Sequence, residues 1–349
     1  MSKNLVDLDI KIIKLISERA RLYVEDIKKL KDDSKDFYLP EDIKRVNNII
    51  DSFNSGPLSN ELLKKIFNDL ISSTINLIQP LKVAYLGPPG TFTHIALLEI
   101  FGESVESVSQ RTISDVFIEV ENNRASLGVV PIENSTEGAV TYTLDDFLDT
   151  DLKIVSEKFL RISYWLLSHC TDMNLIEKLY SHPQPFAQCK VWIRENLPNA
   201  EIHQVNSTSQ AAKIALSDGT SAAIASEASA KMYHLGVLAN NIEDSRQNFT
   251  RFLVIGKRDN PSTGEDKTSI VCSVRDEPGA LYKLLKVFSD EGINMTKIES
   301  RPDKKKIWEY IFFIDFIGHK DDESVKFVID RIRKETLFLK IFGSYPVES

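Results

Sequence analysis

The sequence predicts a multidomain α + α/β + α+β chain: an all-helical segment, then an α/β segment, then a small sheet-and-helix segment. Three observations carry this reading. Up to about residue 80, apolar residues recur in steps of three and four, the period of a helix with one apolar face. At Lys82 the period changes, and short β-type runs begin to alternate with helical stretches. After a polar linker at 259–266 the order strand, helix, strand, strand, helix, strand appears, which is the ferredoxin-like split arrangement. The expected domains are 1–80, 82–257 and 268–346.

The first helix runs from residue 5 to about residue 30, with a stripe at Leu5, Leu8, Ile12, Leu15 and Leu22 that is expected to be buried. Arg19 falls on that stripe, and a buried arginine needs an anion. Leu39-Pro40 opens a second helix, and Asn54-Ser55-Gly56-Pro57 breaks it. Ser59 caps a third, whose stripe includes Leu62, Ile66, Leu70, Thr74 and Ile78 before Gln79-Pro80 stops it. One long and two shorter helices cannot bury this much apolar surface alone, so dimerisation into a bundle is expected.

In the central segment, buried-strand runs lie at 82–86, 127–130, 153–155, 164–167, 222–225 and 251–255, which predicts largely parallel sheets. Four polar clusters stand at their ends. Gly87-Pro88-Pro89-Gly90-Thr91-Phe92-Thr93 lies between a strand and a helix, where backbone N–H groups meet an anion or simply make a tight turn. It is neither a Walker loop nor a dinucleotide loop. Pro131-Ile132-Glu133-Asn134-Ser135-Thr136-Glu137-Gly138 sits at the C-terminal edge of a strand, where open α/β sheets bind ligands or a loop simply caps a helix. Ser181-His182-Pro183-Gln184-Pro185-Phe186-Ala187-Gln188-Cys189 is a loop stiffened by two prolines, and Asn248-Phe249-Thr250-Arg251-Phe252 leads into the last strand.

Composition narrows the partners. The net charge of −8 argues against nucleic acid but leaves room for an anionic small molecule in a locally basic pocket. Cys170, Cys189 and Cys272 are far apart, so neither a zinc site nor a disulfide framework is expected. The N-terminus does not read as a secretory signal, and no stretch approaches the roughly 20 apolar residues of a membrane span. A cytoplasmic protein is expected.

Taken together and in this order, the four clusters make the segment 82–257 resemble the prephenate dehydratase family. The resemblance implies two α/β lobes similar to periplasmic binding proteins, with the active site in the cleft between them. It implies conversion of prephenate to phenylpyruvate with loss of water and carbon dioxide. Prephenate carries two carboxylates and a ring hydroxyl, and the hydroxyl must be protonated as it leaves. Aromatisation drives the reaction, so no metal or other cofactor is expected. By this resemblance Thr250 assists the leaving water, as a strong hydrogen bond or proton relay rather than as an acid in its own right. Arg251 is expected to bind a carboxylate bidentately, beside Phe252. Asn134, Ser181 and Gln188 match polar cleft residues, and Gly90, Thr91 and Thr93 match the substrate loop. Glu133 matches too, although an anion beside a dianion needs a partner or a proton.

The C-terminal segment carries Gly279-Ala280-Leu281 at a helix start and Glu299-Ser300-Arg301-Pro302 at a strand end. With these motifs it resembles the ACT regulatory fold of phenylalanine-responsive dehydratases, which implies feedback inhibition by L-phenylalanine bound between subunits of a homodimer or homotetramer. The first 80 residues resemble the all-helical chorismate mutase family, which implies chorismate as a second substrate with Arg19 in its site. Most of that family's other site positions differ here. Ser2 stands for an arginine, Leu30 for a lysine, Leu39 for an acidic residue, Asp42 for an arginine, Ile43 for a glutamate and Ile78 for a glutamine. A mutase site stabilises a dianionic transition state with several cationic donors, so weak or absent mutase activity is expected. The alternatives are a fully bifunctional mutase–dehydratase, an arogenate dehydratase and a non-catalytic amino-acid sensor. Thr250-Arg251-Phe252 discriminates against the sensor, which has no use for a leaving-group partner.

Overall fold

A computed structural model describes residues 3–29, 38–302 and 310–348. The expectations at Ser2 and Leu30 lie outside the described residues.

Three helices, Lys3–Lys29, Pro40–Phe53 and Asn60–Asn76, form the N-terminal segment. Ser59 caps the third by accepting from the Leu62 N–H at 3.3 Å, as its position suggested. The expected buried stripe on the first helix is not buried within this chain. Leu15 is 65% exposed, and Leu5, Leu8, Ile12 and Leu22 are exposed with it. The reason is length: 27 residues make a helix about 40 Å long. The 14- and 17-residue helices beside it reach only its C-terminal part, where Tyr23 and Ile27 are buried.

Two sheets follow. The first has the order Glu106–Gln110, Lys82–Leu86, Leu127–Asn134, Phe249–Gly256, Lys153–Arg161. The second has the order Gly236–Ala239, Trp165–Ser168, Ser221–Ala225, Lys178–Ser181, Glu201–Gln204. They are mixed rather than largely parallel. The strands at 106–110, 82–86 and 127–134 run parallel, but Phe249–Gly256 runs antiparallel to both of its neighbours. The chain leaves the first lobe near residue 162 and returns near 248, and the returning strand enters in the opposite sense. Two lobes joined by two crossings result. Several strands had no sequence signal: Glu106–Gln110 and Glu201–Gln204 are short, polar and half-exposed.

The C-terminal sheet is antiparallel, in the order Met295–Pro302, Tyr310–Ile317, Asp266–Val274, Thr336–Pro346, with helices Ala280–Asp290 and Glu323–Glu335. This is the βαββαβ fold expected. It is fused to the first lobe rather than hung from it. Val271, Phe313, Phe342 and Tyr345 share one core with Ile154, Leu253 and Ile255. The polar linker is pinned as well: Asn260 Nδ2 donates to the carbonyls of Val155 at 2.8 Å and Ser344 at 3.0 Å. A Cβ on Gly343 would lie 2.5 Å from the Ile154 carbonyl oxygen, so the two backbones touch where only glycine fits. Among the described residues, no helix is long and apolar enough to cross a membrane.

Candidate active site

A cleft of ≈ 480 Å³ opens between the two lobes, within the size range of small-molecule sites. The first lobe lines it with Leu86 and Gly87, Thr91 to Thr93, Asn134, 137–142, Thr250 and Phe252. The second lobe contributes His182, Gln184 and Asn206 to Thr208, and Ile162 and Tyr164 lie at the crossing.

Thr250 and Asn134 are register partners on adjacent antiparallel strands. Residues paired across two strands put their side chains on the same face, so both reach the cleft. Asn134 Nδ2 donates to Thr250 Oγ1 at 2.8 Å and to Asn248 Oδ1 at 2.9 Å. Asn134 Oδ1 accepts from the Thr136 hydroxyl at 2.5 Å and from the backbone N–H groups of Thr136 and Glu137. Gln188 closes the ring, donating to Thr136 Oγ1 at 2.9 Å and accepting from Asn248 Nδ2 at 2.7 Å. Each amide thereby has its oxygen and nitrogen fixed. The consequence falls on Thr250, whose oxygen is occupied as an acceptor. Its hydroxyl proton has no acceptor among the described residues, so it is available to a ligand in the cleft.

No lysine or arginine is among the described residues lining the cleft. Glu137 is the charged side chain among those described there, so donors for an anion come from backbone N–H groups and one imidazole. The helices Phe92–Phe101 and Thr208–Ala215 begin at the cleft, and the first-turn N–H groups of a helix lack intrahelical partners and favour an anion. His182 Nδ1 accepts from the Gln184 N–H, which leaves Nε2 to carry the proton of the neutral ring. Burial lowers the His182 pKa, and Glu137 opposes that shift.

Several expected residues sit elsewhere. Arg251 does not face the cleft. It follows Thr250 along a strand, and successive side chains point to opposite faces. Its guanidinium is 4% exposed and bonds Glu157 at 2.8 Å, Asp315 at 2.6 Å, Glu133 at 3.2 Å and the Tyr345 hydroxyl at 2.8 Å. Burial pulls its pKa down, but the Tyr345 oxygen and the Asp315 and Glu157 carboxylates outweigh burial and hold it above the usual value. Glu133 lies on the same hidden face with Arg251 and Lys297 as partners. Ser181 is fully buried and donates to the Ile224 carbonyl at 2.8 Å, tying two strands together behind the cleft. Gly90 is a hinge contact: its carbonyl accepts from Ser226 and Ser229 of the second lobe, and its φ of +85° favours glycine. Thr91, Thr93 and Phe252 line the cleft as expected. The sequence reading gave no role to Thr136, His182, Gln184 or Asn248, although all four sat inside its clusters, and did not note Ser207 or Thr208. His182 and Gln184 sat inside a motif already noted, and Ser207 carried the signal of a helix cap.

In the helical segment Arg19 lies 5.6 Å from both the Tyr23 and Phe67 ring centres. Burial lowers its pKa. The residue at the expected arginine position, Asp42, is near enough to raise it and also pairs with Arg45 at 3.0 Å. Ile43 packs against the core. Thr74 spends its hydroxyl on the Leu70 carbonyl at 2.6 Å.

Three segments of the chain match known families. Family models match residues 1–79 as "Chorismate mutase type II", 83–260 as "Prephenate dehydratase" and 268–331 as "ACT domain". The chain is 47% identical to a bifunctional chorismate mutase/prephenate dehydratase of Aquifex aeolicus, over 99% of this chain and 97% of that one. It is 41% identical to a prephenate dehydratase of Methanocaldococcus jannaschii, over 76% of this chain and 98% of the other. Among solved structures, a prephenate dehydratase of Arthrobacter aurescens in complex with L-Phe superposes with a TM-score of 0.72 at 32% identity, covering 76% of this chain and 90% of that one. The chain belongs to the bifunctional chorismate mutase/prephenate dehydratase family.

Proposed function

We propose that the cleft binds prephenate and expels its ring hydroxyl as water while the ring carboxylate leaves as carbon dioxide, giving phenylpyruvate. The observation that carries this is the Asn134–Thr250 bond of 2.8 Å, which occupies the Thr250 oxygen and leaves its proton free for the departing hydroxyl. A threonine hydroxyl is a weak acid, so it acts as a relay: its hydrogen bond strengthens as the leaving hydroxyl gains negative charge, and the proton that completes the departing water is replaced on Thr250 from solvent. Thr93, His182 and the two helix N-termini supply donors for the substrate carboxylates, while Thr91 spends its hydroxyl on the Pro88 carbonyl and holds the loop. Arg251 and Glu133 serve from behind the strands, and Gln188 serves by fixing Thr136 and Asn248. Incubating the purified full-length protein with prephenate and following phenylpyruvate tests this. Absence of product at saturating prephenate from folded protein contradicts it.

The reading extends to regulation and assembly. L-phenylalanine binds the C-terminal domain around Gly279-Ala280-Leu281 and Glu299-Ser300-Arg301-Pro302 and inhibits the dehydratase. The chain divides at 1–80, 82–257 and 268–346 and works in the cytoplasm. The exposed apolar face of the first helix supports a homodimer or a larger homo-oligomer, in which a second copy covers Leu8, Ile12 and Leu15. The helical domain then serves assembly, with chorismate turnover weak or lost because Asp42 sits near Arg19.

A further inference from the structure

Behind the catalytic strands lies a buried charge cluster to which two domains contribute. From the first lobe come Arg251, Glu133 and Glu157, with a formal sum of −1. From the C-terminal domain come Lys267, Lys297 and Asp315, with a formal sum of +1. Lys267 Nζ bonds both oxygens of Glu157, at 2.7 and 2.9 Å, and the Lys297 ammonium pairs with Glu133. The Asp315 carboxylate spans the boundary, accepting from Arg251 Nη1 at 2.6 Å and from Ser269 Oγ at 2.5 Å. Neither set is neutral by itself, and Lys267, Lys297 and Asp315 of the C-terminal domain each pair with a first-lobe group of opposite sign.

The cluster is one residue from the chemistry. Arg251 pairs with Glu133 in the same register that pairs Thr250 with Asn134. Just beyond, the register shifts between Arg251 and Phe252, so the ladder on that side is irregular. A guanidinium bonded at all three nitrogens on one face therefore fixes the strand whose other face presents the Thr250 hydroxyl.

We propose that Asp315, in the regulatory domain, is a positioning residue for the dehydratase reaction: through Arg251 it sets where Thr250 meets the leaving hydroxyl. This rests on the reading of Thr250 given above. It also gives the C-terminal domain a part in turnover that does not require bound phenylalanine.

The test is a double-mutant cycle in the full-length protein, read as kcat and KM for prephenate. Asp315→Asn keeps the shape and the Ser269 contact but removes the charge. Its kcat should fall about tenfold with KM moving less than about twofold, since misplacing a reacting group by about 1 Å costs up to ~10²-fold. In the Thr250→Val background the same substitution should lower kcat no further, because no hydroxyl remains to be aimed. A merely structural role predicts an equal fall in both backgrounds, and that result, or an unchanged kcat in folded Asp315→Asn, overturns the proposal. If Asp315→Asn does not fold, Ser269→Ala decides by the same cycle while leaving every charge in place: a fall of about threefold confined to the Thr250 background supports it, and no fall overturns it. If Thr250→Val alone turns over at the parental rate, the reading of Thr250 fails and takes this proposal with it. An impaired Thr250→Val with independent Asp315 effects rejects the proposal alone.

Discussion

The cleft and the helical segment both carry family patterns, yet they treat their polar residues differently. In the cleft, Asn134, Thr136, Gln188 and Asn248 satisfy one another and leave one useful proton, on Thr250. In the helical segment, Arg19 lies between two aromatic rings with Arg45 and Asp42 acting on it in opposite senses, and the positions around it where a mutase site needs further donors hold Leu39, Asp42, Ile43 and Ile78. The contrast teaches that a site is recognised by which groups remain available after the protein has bonded its own. A matching residue type is not enough.

The strongest way to break this comparison is Thr250→Val, close in shape and without the hydroxyl. Its kcat on prephenate should fall on the order of 10²-fold or more with the fold preserved by circular dichroism. An unchanged kcat removes Thr250 from the mechanism. Asn134→Ala sharpens the same claim. It removes the donor that orients Thr250 and should cost about tenfold in kcat, the rate equivalent of one net hydrogen bond. If the loss appears only in KM, Asn134 contacts the substrate and does not orient the threonine.

The regulatory domain yields a smaller effect. Arg301 donates to the Thr141 carbonyl at 3.0 Å and pairs with Asp145 at 2.9 Å, on the helix Thr141–Asp149 whose start lines the cleft. Arg301→Met should raise the phenylalanine concentration for half-inhibition by at least about fivefold, the low end of allosteric coupling. Identical inhibition curves would show that the signal reaches the cleft by another route. The smallest effect concerns pH. Burial lowers the pKa of His94, which accepts from the Gly90 N–H at 3.2 Å at the base of the substrate loop. A proton then binds the unfolded chain more readily than the folded one. The contribution is complete above the unfolded value of ~6.5 and is lost as pH falls through the folded value. The drop in Tm between pH 7 and pH 5 should therefore shrink in His94→Gln by about 1–3 °C. An equal drop in both proteins would mean that His94 plays no part.

Much of this was legible in the sequence, and the failures have physical causes. Strand runs such as Lys82–Leu86 are buried on both faces and could be read directly. The polar strand Glu106–Gln110 lies at a sheet edge, where exposure erases the pattern. The motif at 250–252 located the site, but reading it as one unit put Thr250 and Arg251 in the same pocket. The alternation of a strand, already evident from 248–255, separates them. Ser181 failed for a related reason, since a strand-end hydroxyl can be spent on the neighbouring strand's carbonyl. Thr136 and Asn248 lay inside noted clusters but drew no role, because loop amides and hydroxyls acquire one only from what the fold brings beside them. The first helix shows a further limit. Periodicity reports an apolar face at Leu5, Leu8, Ile12 and Leu15 but not what covers it.

The most direct test of the contrast is one preparation of the full-length protein assayed separately with prephenate and with chorismate. The account predicts sustained phenylpyruvate formation from prephenate and feeble or undetectable turnover of chorismate. Rapid chorismate turnover that disappears in Arg19→Ala would contradict it, by showing that Arg19 still meets a substrate.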